Sequence, residues 1–294
     1  MSHHTTHGLL VYIDAQPDEQ LQRSNLTLCL TGLICDQDAG LVDLIQFKDT
    51  PISDRVSEAN RLETAIRSGE ITVRSISMVA PYSDIERYAV EAEGKLANVM
   101  SRRGKRYVVE GKRLSRNTAL AMIWYAVGQN LIGLAAAKWA KSLGLDRVTL
   151  FLDSLPGAPN VAMKLLRKIA MESELAQLWL KTVTDTGVEF QIGNMGSWRV
   201  NAGEPEQSPI EHPHFILTDW IAHSLFASFE DNQEHFTAKH PQLSDEEKSN
   251  YLEAIKGPWF ALHEMEKHIL VSLKSLTGVD PDNVNLEENS VDMA

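Results

Sequence analysis

The chain reads as an α/β body: a mixed β-sheet that opens with an antiparallel three-strand meander and continues in parallel strands, flanked by helices, with an added C-terminal helical segment. Two sequence features predict this. Gly8-Leu9-Leu10-Val11-Tyr12-Ile13-Asp14 and Arg147-Val148-Thr149-Leu150-Phe151-Leu152-Asp153 are continuous apolar runs with β-branched and aromatic residues, the pattern of strands covered by helices on both faces. The stretch from Asn117 to Ala137 carries no charge and runs toward the second of these strands, as a buried crossover helix does. At 294 residues and 43% hydrophobic, the chain has material for one large core or two modest ones.

Taken in order, the first strand ends in a polar turn holding Pro17, Asp18 and Glu19. Leu26 to Cys35 and Leu41 to Phe47 follow, separated by Asp36-Gln37-Asp38-Ala39-Gly40, and complete the predicted meander. Val56, Ala59, Leu62 and Ile66 recur at helical spacing, which predicts a helix from Ser53 to Arg67 with Ser53 as its cap and Gly69 as its stop. Ile71 to Val79 alternates as a strand does, and Ile85 to Met100 is amphipathic and helical. A short extended piece, Tyr107-Val108-Val109, lies inside a basic segment, and the long helix then spans Thr118 to Leu143.

Beyond Asp153, Leu155 to Pro159 forms a rigid loop, Val161 to Leu180 a helix, and Val188 to Ile192 one more strand. Gly193 to Pro209 is a long polar loop, and Phe215 to Phe229 is an apolar helix carrying a lone Asp219. Ser244 and Glu247 have the spacing of a capping box, and the pattern from Ser244 to Leu276 predicts two helices broken at Gly257-Pro258. This gives a main domain over 8–229, a helical extension over 230–278 and an acidic, disordered tail over 279–294.

Charge and cysteine usage narrow the function. A formal net charge of -12 does not suit a protein that coats nucleic acid over a broad basic surface. The cations are concentrated, however: Arg102, Arg103, Lys105, Arg106, Lys112, Arg113 and Arg116 face only Glu110 in their segment, a stripe able to neutralise phosphates or to be a solvated surface. Cys29 and Cys35 stand six apart on one predicted strand, beyond disulfide reach, and no leader pattern opens the chain, so a reducing cytoplasm is expected. The uncharged stretch at 117–137 has Gln129 and Asn130 at its middle and reads as a core helix rather than a membrane span. His3, His4 and His7 belong to a short polar terminus expected to be mobile. No glycine-rich phosphate loop, nucleophile elbow or zinc-spaced cysteine pair occurs.

The two strand-ending aspartates carry the chemistry. If both strands lie side by side and parallel, both carboxylates reach the same sheet edge, where open α/β sheets place their sites. Paired carboxylates repel unless a cation lies between them, and a hard divalent ion is the usual answer. Each aspartate alone can instead cap the turn that follows it.

Tyr12-Ile13-Asp14, Leu150-Phe151-Leu152-Asp153 and Phe215-Ile216-Leu217-Thr218-Asp219-Trp220-Ile221-Ala222, in that order, resemble the ribonuclease H-like superfamily. More narrowly they resemble its bacterial domain of unknown function that opens on Tyr-Ile-Asp-Glu-Ser-Gly and closes on an Ala-Asp-Leu-type helix. The resemblance spans roughly Gly8 to Phe229 and implies adjacent, parallel first and fourth strands. It also implies metal-dependent hydrolysis of RNA or DNA phosphodiesters. Two magnesium or manganese ions about 4 Å apart would be held by Asp14, Asp153 and Asp219, activating water and stabilising the leaving oxygen. The family's middle acidic residue maps best to Glu110, with Glu58 and Glu63 as competitors, and the nucleic acid would lie against Arg102, Arg103, Lys105, Arg106, Lys112 and Arg113. His212, His214 and His223, near Asp219, are either proton carriers or structural. The chain departs from the family with Ala15-Gln16-Pro17 in place of Glu-Ser-Gly and Thr218 in place of Ala. That departure opens a second function, a scaffold without chemistry serving binding or assembly.

Overall fold

A computed structural model of the chain describes residues 8–16, 27–35, 45–87, 100–103, 106–109, 112–114, 116–152, 187–192 and 213–272. Strands β1 (Gly8–Gln16), β2 (Thr27–Cys35), β3 (Val73–Pro81), β7 (Arg147–Leu152), β8 (Glu189–Ile192) and β9 (His268–Ser272) form a six-stranded sheet ordered β8-β7-β1-β2-β3-β9. A separate three-stranded sheet joins β4 (Met100–Arg103), β5 (Arg106–Val109) and β6 (Lys112–Leu114). The helices are α1 (Ile52–Ser68), α2 (Arg116–Ser142), α3 (Pro213–Ser228), α4 (Glu230–Ala238) and α5 (Asp245–Glu264). The larger sheet is mixed: β1 pairs antiparallel with β2 and parallel with β7, β2 antiparallel with β3, and β3 parallel with β9.

Successive residues of a strand point to opposite faces, so Gly32 and Leu33 of β2 separate the two helical layers. Leu33 belongs to the core shared with Leu62 and Ile66 of α1, Trp220 and Leu225 of α3, and Trp259 and Leu262 of α5. Gly32 faces α2: a Cβ there would stand 2.7 Å from Ile132 Cγ2 and 3.0 Å from Val11 Cγ1, so only glycine lets this helix settle so close to the sheet. The uncharged stretch is therefore a core helix, with Ile132, Ala136, Ala137 and Ala140 wholly buried, and none of the described helices is long and apolar enough to cross a membrane.

Several sequence expectations change. Of the expected third strand, Leu41–Phe47, residues 41–44 lie outside the described residues, and Ile45–Phe47 are not in a strand. Both edges of β2 are taken, by β1 and by β3, which arrives only after α1, while Phe47 opens a 3-10 turn, Phe47–Asp49. The cap of α1 is Pro51 rather than Ser53, whose hydroxyl lies 2.9 Å from Asp54 Oδ1; the stop at Gly69 holds, with φ of 77° and its N–H donating to Ile66 O. Residues 82–87 begin a helix, but Met100 opens β4 instead of closing that helix. The extended piece expected at Tyr107–Val109 belongs to β5, the middle strand of a three-stranded β-meander.

In the C-terminal segment the capping box of Ser244 and Glu247 is present, yet Gly257-Pro258 does not break α5. Proline leaves one backbone donor missing there, and Trp259 N–H finds its partner in Ser224 Oγ at 2.9 Å. Gly257 sits where α1 crosses, a built Cβ falling 2.3 Å from Glu63 Oε2. The expected second helix is instead β9, which caps the β3 edge of the sheet, so residues 230–272 pack into the same core. Asn232 ties this segment to the sheet: Thr27 N–H donates to its Oδ1 at 2.9 Å, and its Nδ2 donates to Thr27 O at 2.8 Å.

Burial of two histidines gives this region a pH dependence. His268, at the start of β9, is held below its ordinary value of 6.5 by burial and by nearby His263; His240 is lowered by burial and by Arg55. Both are harder to protonate folded than unfolded, so as pH falls below 6.5 the unfolded chain takes up more protons and stability is lost. Chemical denaturation at about pH 7.5 and about pH 5 is expected to show the loss, and His268→Gln to flatten it. A protein that gains stability on acidification would contradict this reading.

Candidate functional site

Asp14 lies near the end of β1, 5% exposed. Tyr12, Asp14 and Gln16 share one face, and that face meets the start of α3, because the Tyr12 ring lies 4.7 Å from His214 and 5.3 Å from Phe215. Gln16 Nε2 approaches Asp14 Oδ2 at a long 3.5 Å. Across the sheet Asp14 stands opposite Thr31, and Thr31 opposite Ser77, whose hydroxyl donates to Thr31 Oγ1 at 3.3 Å. Thr31 and Ser77 are both fully buried. A row of polar side chains thus crosses three strands on a buried face that also carries Gln16 and Ser75. The sequence gives little signal of it, because Thr31 and Ser77 each fit an ordinary strand pattern.

Strands β1 and β7 run parallel in continuous register from Gly8↔Arg147 to Ile13↔Leu152. Tyr12 and Phe151 stack across this pair, ring centroids 5.0 Å apart and 12° from parallel. The next residue of each chain segment is Asp14 on one side and Asp153 on the other. Asp153 itself lies outside the described residues, as do Lys105, Glu110, His212, residues 1–7, the predicted helix at 161–180, the loop at 193–209 and the acidic tail.

Asp219 sits in the second turn of α3, where its carboxylate holds the chain segment entering α1. Phe47 N–H donates to Asp219 Oδ2 at 2.9 Å, and His223 Nδ1 lies 3.1 Å from Oδ1. The same His223 ring stacks on Phe47 at 4.1 Å, and the Arg55 guanidinium lies 4.5 Å from the Phe47 ring centroid. Arg55 Nη1 donates to the Tyr251 hydroxyl at 3.2 Å, and that hydroxyl lies 3.5 Å from His240 Nε2. Burial pushes the Tyr251 hydroxyl above its ordinary value, with Arg55 pulling the other way. The lone aspartate of the sequence is thus one end of a polar and aromatic network joining α1, α3 and α5. Nothing in the spacing of Phe47, Arg55, Tyr251 and His240 announces this network.

Asp219→Ala would leave the Phe47 N–H without its acceptor, at a cost of roughly 1–3 kcal/mol. Asp219→Asn keeps a carbonyl oxygen there and is expected to cost less than half as much. Denaturant titration of the two variants measures the difference; equal losses would show that the charge, not the acceptor, matters.

An oxygen-only donor set suits a hard divalent cation, and buried Asp14 has the chemistry to contribute to one. Among the described residues, however, no three His, Cys, Asp or Glu side chains gather closely enough to hold an ion. Of the residues read as basic contacts, Arg102, Arg103, Arg106, Lys112 and Arg113 all lie on the three-stranded sheet. The fold and these residues define an α/β protein with a six-stranded mixed sheet and an acidic residue at the end of its central strand. Comparison of the chain with family models, curated proteins and solved structures finds no match in any of the three.

Proposed function

We propose that the protein is a metal-dependent nuclease of ribonuclease H-like type, hydrolysing RNA or DNA phosphodiesters with Mg2+ or Mn2+. The observation that carries this reading is the parallel register of β1 and β7, which ends one residue short of Asp14 and Asp153. It is supported by strand order, since β7 is the fourth strand of the larger sheet along the chain and lies beside the first. The packing of α3 on the Tyr12 and Asp14 face, and the basic meander ahead of α2, point the same way.

Bound there, the divalent ion would supply an activated water and charge neutralisation at the phosphate. The chain's own part is to hold Asp14 in a place largely closed to solvent, with Gln16 beside it. Asp219 and His223 fix the second and third turns of α3 and the Phe47 segment against each other.

A second reading, an inactive scaffold for binding or assembly, is favoured by one observation: Asp219 Oδ2 accepts from Phe47 N–H within the protein, and Oδ1 lies 3.1 Å from His223 Nδ1. The departure from Glu-Ser-Gly after Asp14 agrees with it. Metal titration followed by thermal unfolding separates the two. A live site saturated to 100 times its Kd is stabilised by about 2.7 kcal/mol, whereas a scaffold shows no shift at millimolar manganese.

A further inference from the structure

The three-stranded sheet has two unlike faces. Its register pairs Ser101 with Val108 and Arg103 with Arg106 between β4 and β5, and Val108 with Arg113 between β5 and β6. Cross-strand partners share a face and alternate residues change it, so Ser101, Arg103, Arg106, Val108 and Arg113 occupy positions on one side. Met100, Arg102, Tyr107, Val109, Lys112 and Leu114 occupy the other. The first side carries three arginines and one apolar residue; the second carries four apolar or aromatic residues and two cations. This is the division expected of a sheet with one face packed inward, and β5, its middle strand, touches α2.

The arginine side is electrostatically costly by itself. Arg103 and Arg106 hold directly opposite register positions, an arrangement that destabilises a strand pair, and Arg113 holds the diagonal position from Arg106. Three arginine positions on one side of the sheet, in a chain whose formal net charge is -12, are a local exception to the charge of the whole molecule. An anion with several closely spaced charges relieves the repulsion and uses the bidentate geometry of each fork, as nucleic-acid phosphates do.

We propose that Arg103, Arg106 and Arg113 form one phosphate-binding face that holds the nucleic-acid backbone, and that Arg102 and Lys112, on the opposite side, do not take part. The proposal rests on the nuclease reading for the identity of its ligand, but not on any chemistry at Asp14.

The test compares two charge-matched variants, Arg106→Gln with Arg113→Gln against Arg102→Gln with Lys112→Gln. Binding of fluorescein-labelled single-stranded RNA and of a DNA duplex is followed by anisotropy across a salt series, in EDTA so that no cleavage occurs. Losing both phosphate contacts is expected to reduce the slope of log K against log salt by about 1.4 for the single strand or about 1.8 for the duplex. The Arg102 and Lys112 variant should keep the wild-type slope. Equal weakening of both variants would overturn the face assignment, and absence of binding by the wild type to either probe would overturn the proposal. Thermal midpoints guard against misfolding: removing Arg106 relieves a like-charge pair, so its variant should melt no lower than wild type. Intact binding in EDTA without cleavage by the wild-type protein in magnesium or manganese would sink the nuclease reading and leave this face standing.

Discussion

Asp14→Asn is expected to abolish metal-dependent cleavage while leaving the metal-free protein as stable as before. The exchange keeps the shape and an acceptor oxygen for Gln16 Nε2 but removes the negative charge that a divalent ion requires. Loss of groups that merely orient a ligand costs roughly 10–100-fold, so losing the ligand itself should cost no less than about 100-fold in rate. The thermal shift produced by manganese should vanish with it. Without metal, a carboxylate at 5% exposure carries a desolvation cost that an amide does not, so the midpoint should hold or rise. Gel assays on single-stranded RNA and DNA with manganese, run beside melting curves with and without the ion, read both effects. Wild-type cleavage by the Asp14→Asn protein would remove Asp14 from the chemistry, and a fall in the metal-free midpoint would make it a structural residue.

Trp220→Ala is expected to be the most destabilising single change among the core residues of α3. The indole is 1% exposed, its Nε1–H donates to Ile45 O at 2.8 Å, and Phe47 packs edge-on against it at 5.0 Å. Truncation removes the apolar burial and leaves a cavity, a loss of roughly 3–5 kcal/mol. Trp220→Phe keeps most of the ring and gives up the hydrogen bond, for about 1 kcal/mol. Urea denaturation of both variants reads the two contributions. Equal losses would place the energy in the Ile45 contact rather than in burial. Because Trp220 and Asp219 both hold the segment from Ile45 to Phe47, the alanine variant should also loosen the entry to α1, seen as faster amide exchange at Phe47.

What was legible in the sequence was whatever local chemistry fixes. β1 and β7 were readable because continuous apolar runs with aromatic and β-branched residues have few other stable uses. Gly69, with its positive φ, and the Ser244–Glu247 box were readable because a helix end satisfies its backbone groups within a few residues. Ile45–Phe47 and His268–Ser272 depart from the sequence expectation for a shared reason. Short apolar runs fit a strand or a helix equally well by pattern, and the deciding factor is which sheet edge is open. β3 took the edge of β2, which left Phe47 to fill the space between His223 and Arg55. The run at His268 then became a strand because the outer edge of β3 was available.

The same division holds at the candidate site. Asp14 stood out as a charge ending an apolar run, and the structure places it on the central strand, next to the strand that ends before Asp153. Asp219 stood out equally, yet its role came from residues distant in the chain, since Phe47 donates to it across 172 positions. The basic segment was evident as composition, whereas its two faces exist only through strand register.

The sequence by itself determined the α/β class, the buried strands, the helix ends and the acidic and basic residues available for chemistry, because periodicity and local hydrogen bonding act over a few positions. Only the tertiary structure decided which strands are neighbours, which carboxylate is tied into the protein's own network and which arginines share a side. Those outcomes depend on competition among distant segments for the same sheet edges and the same space in the core, and no local pattern encodes the result of that competition.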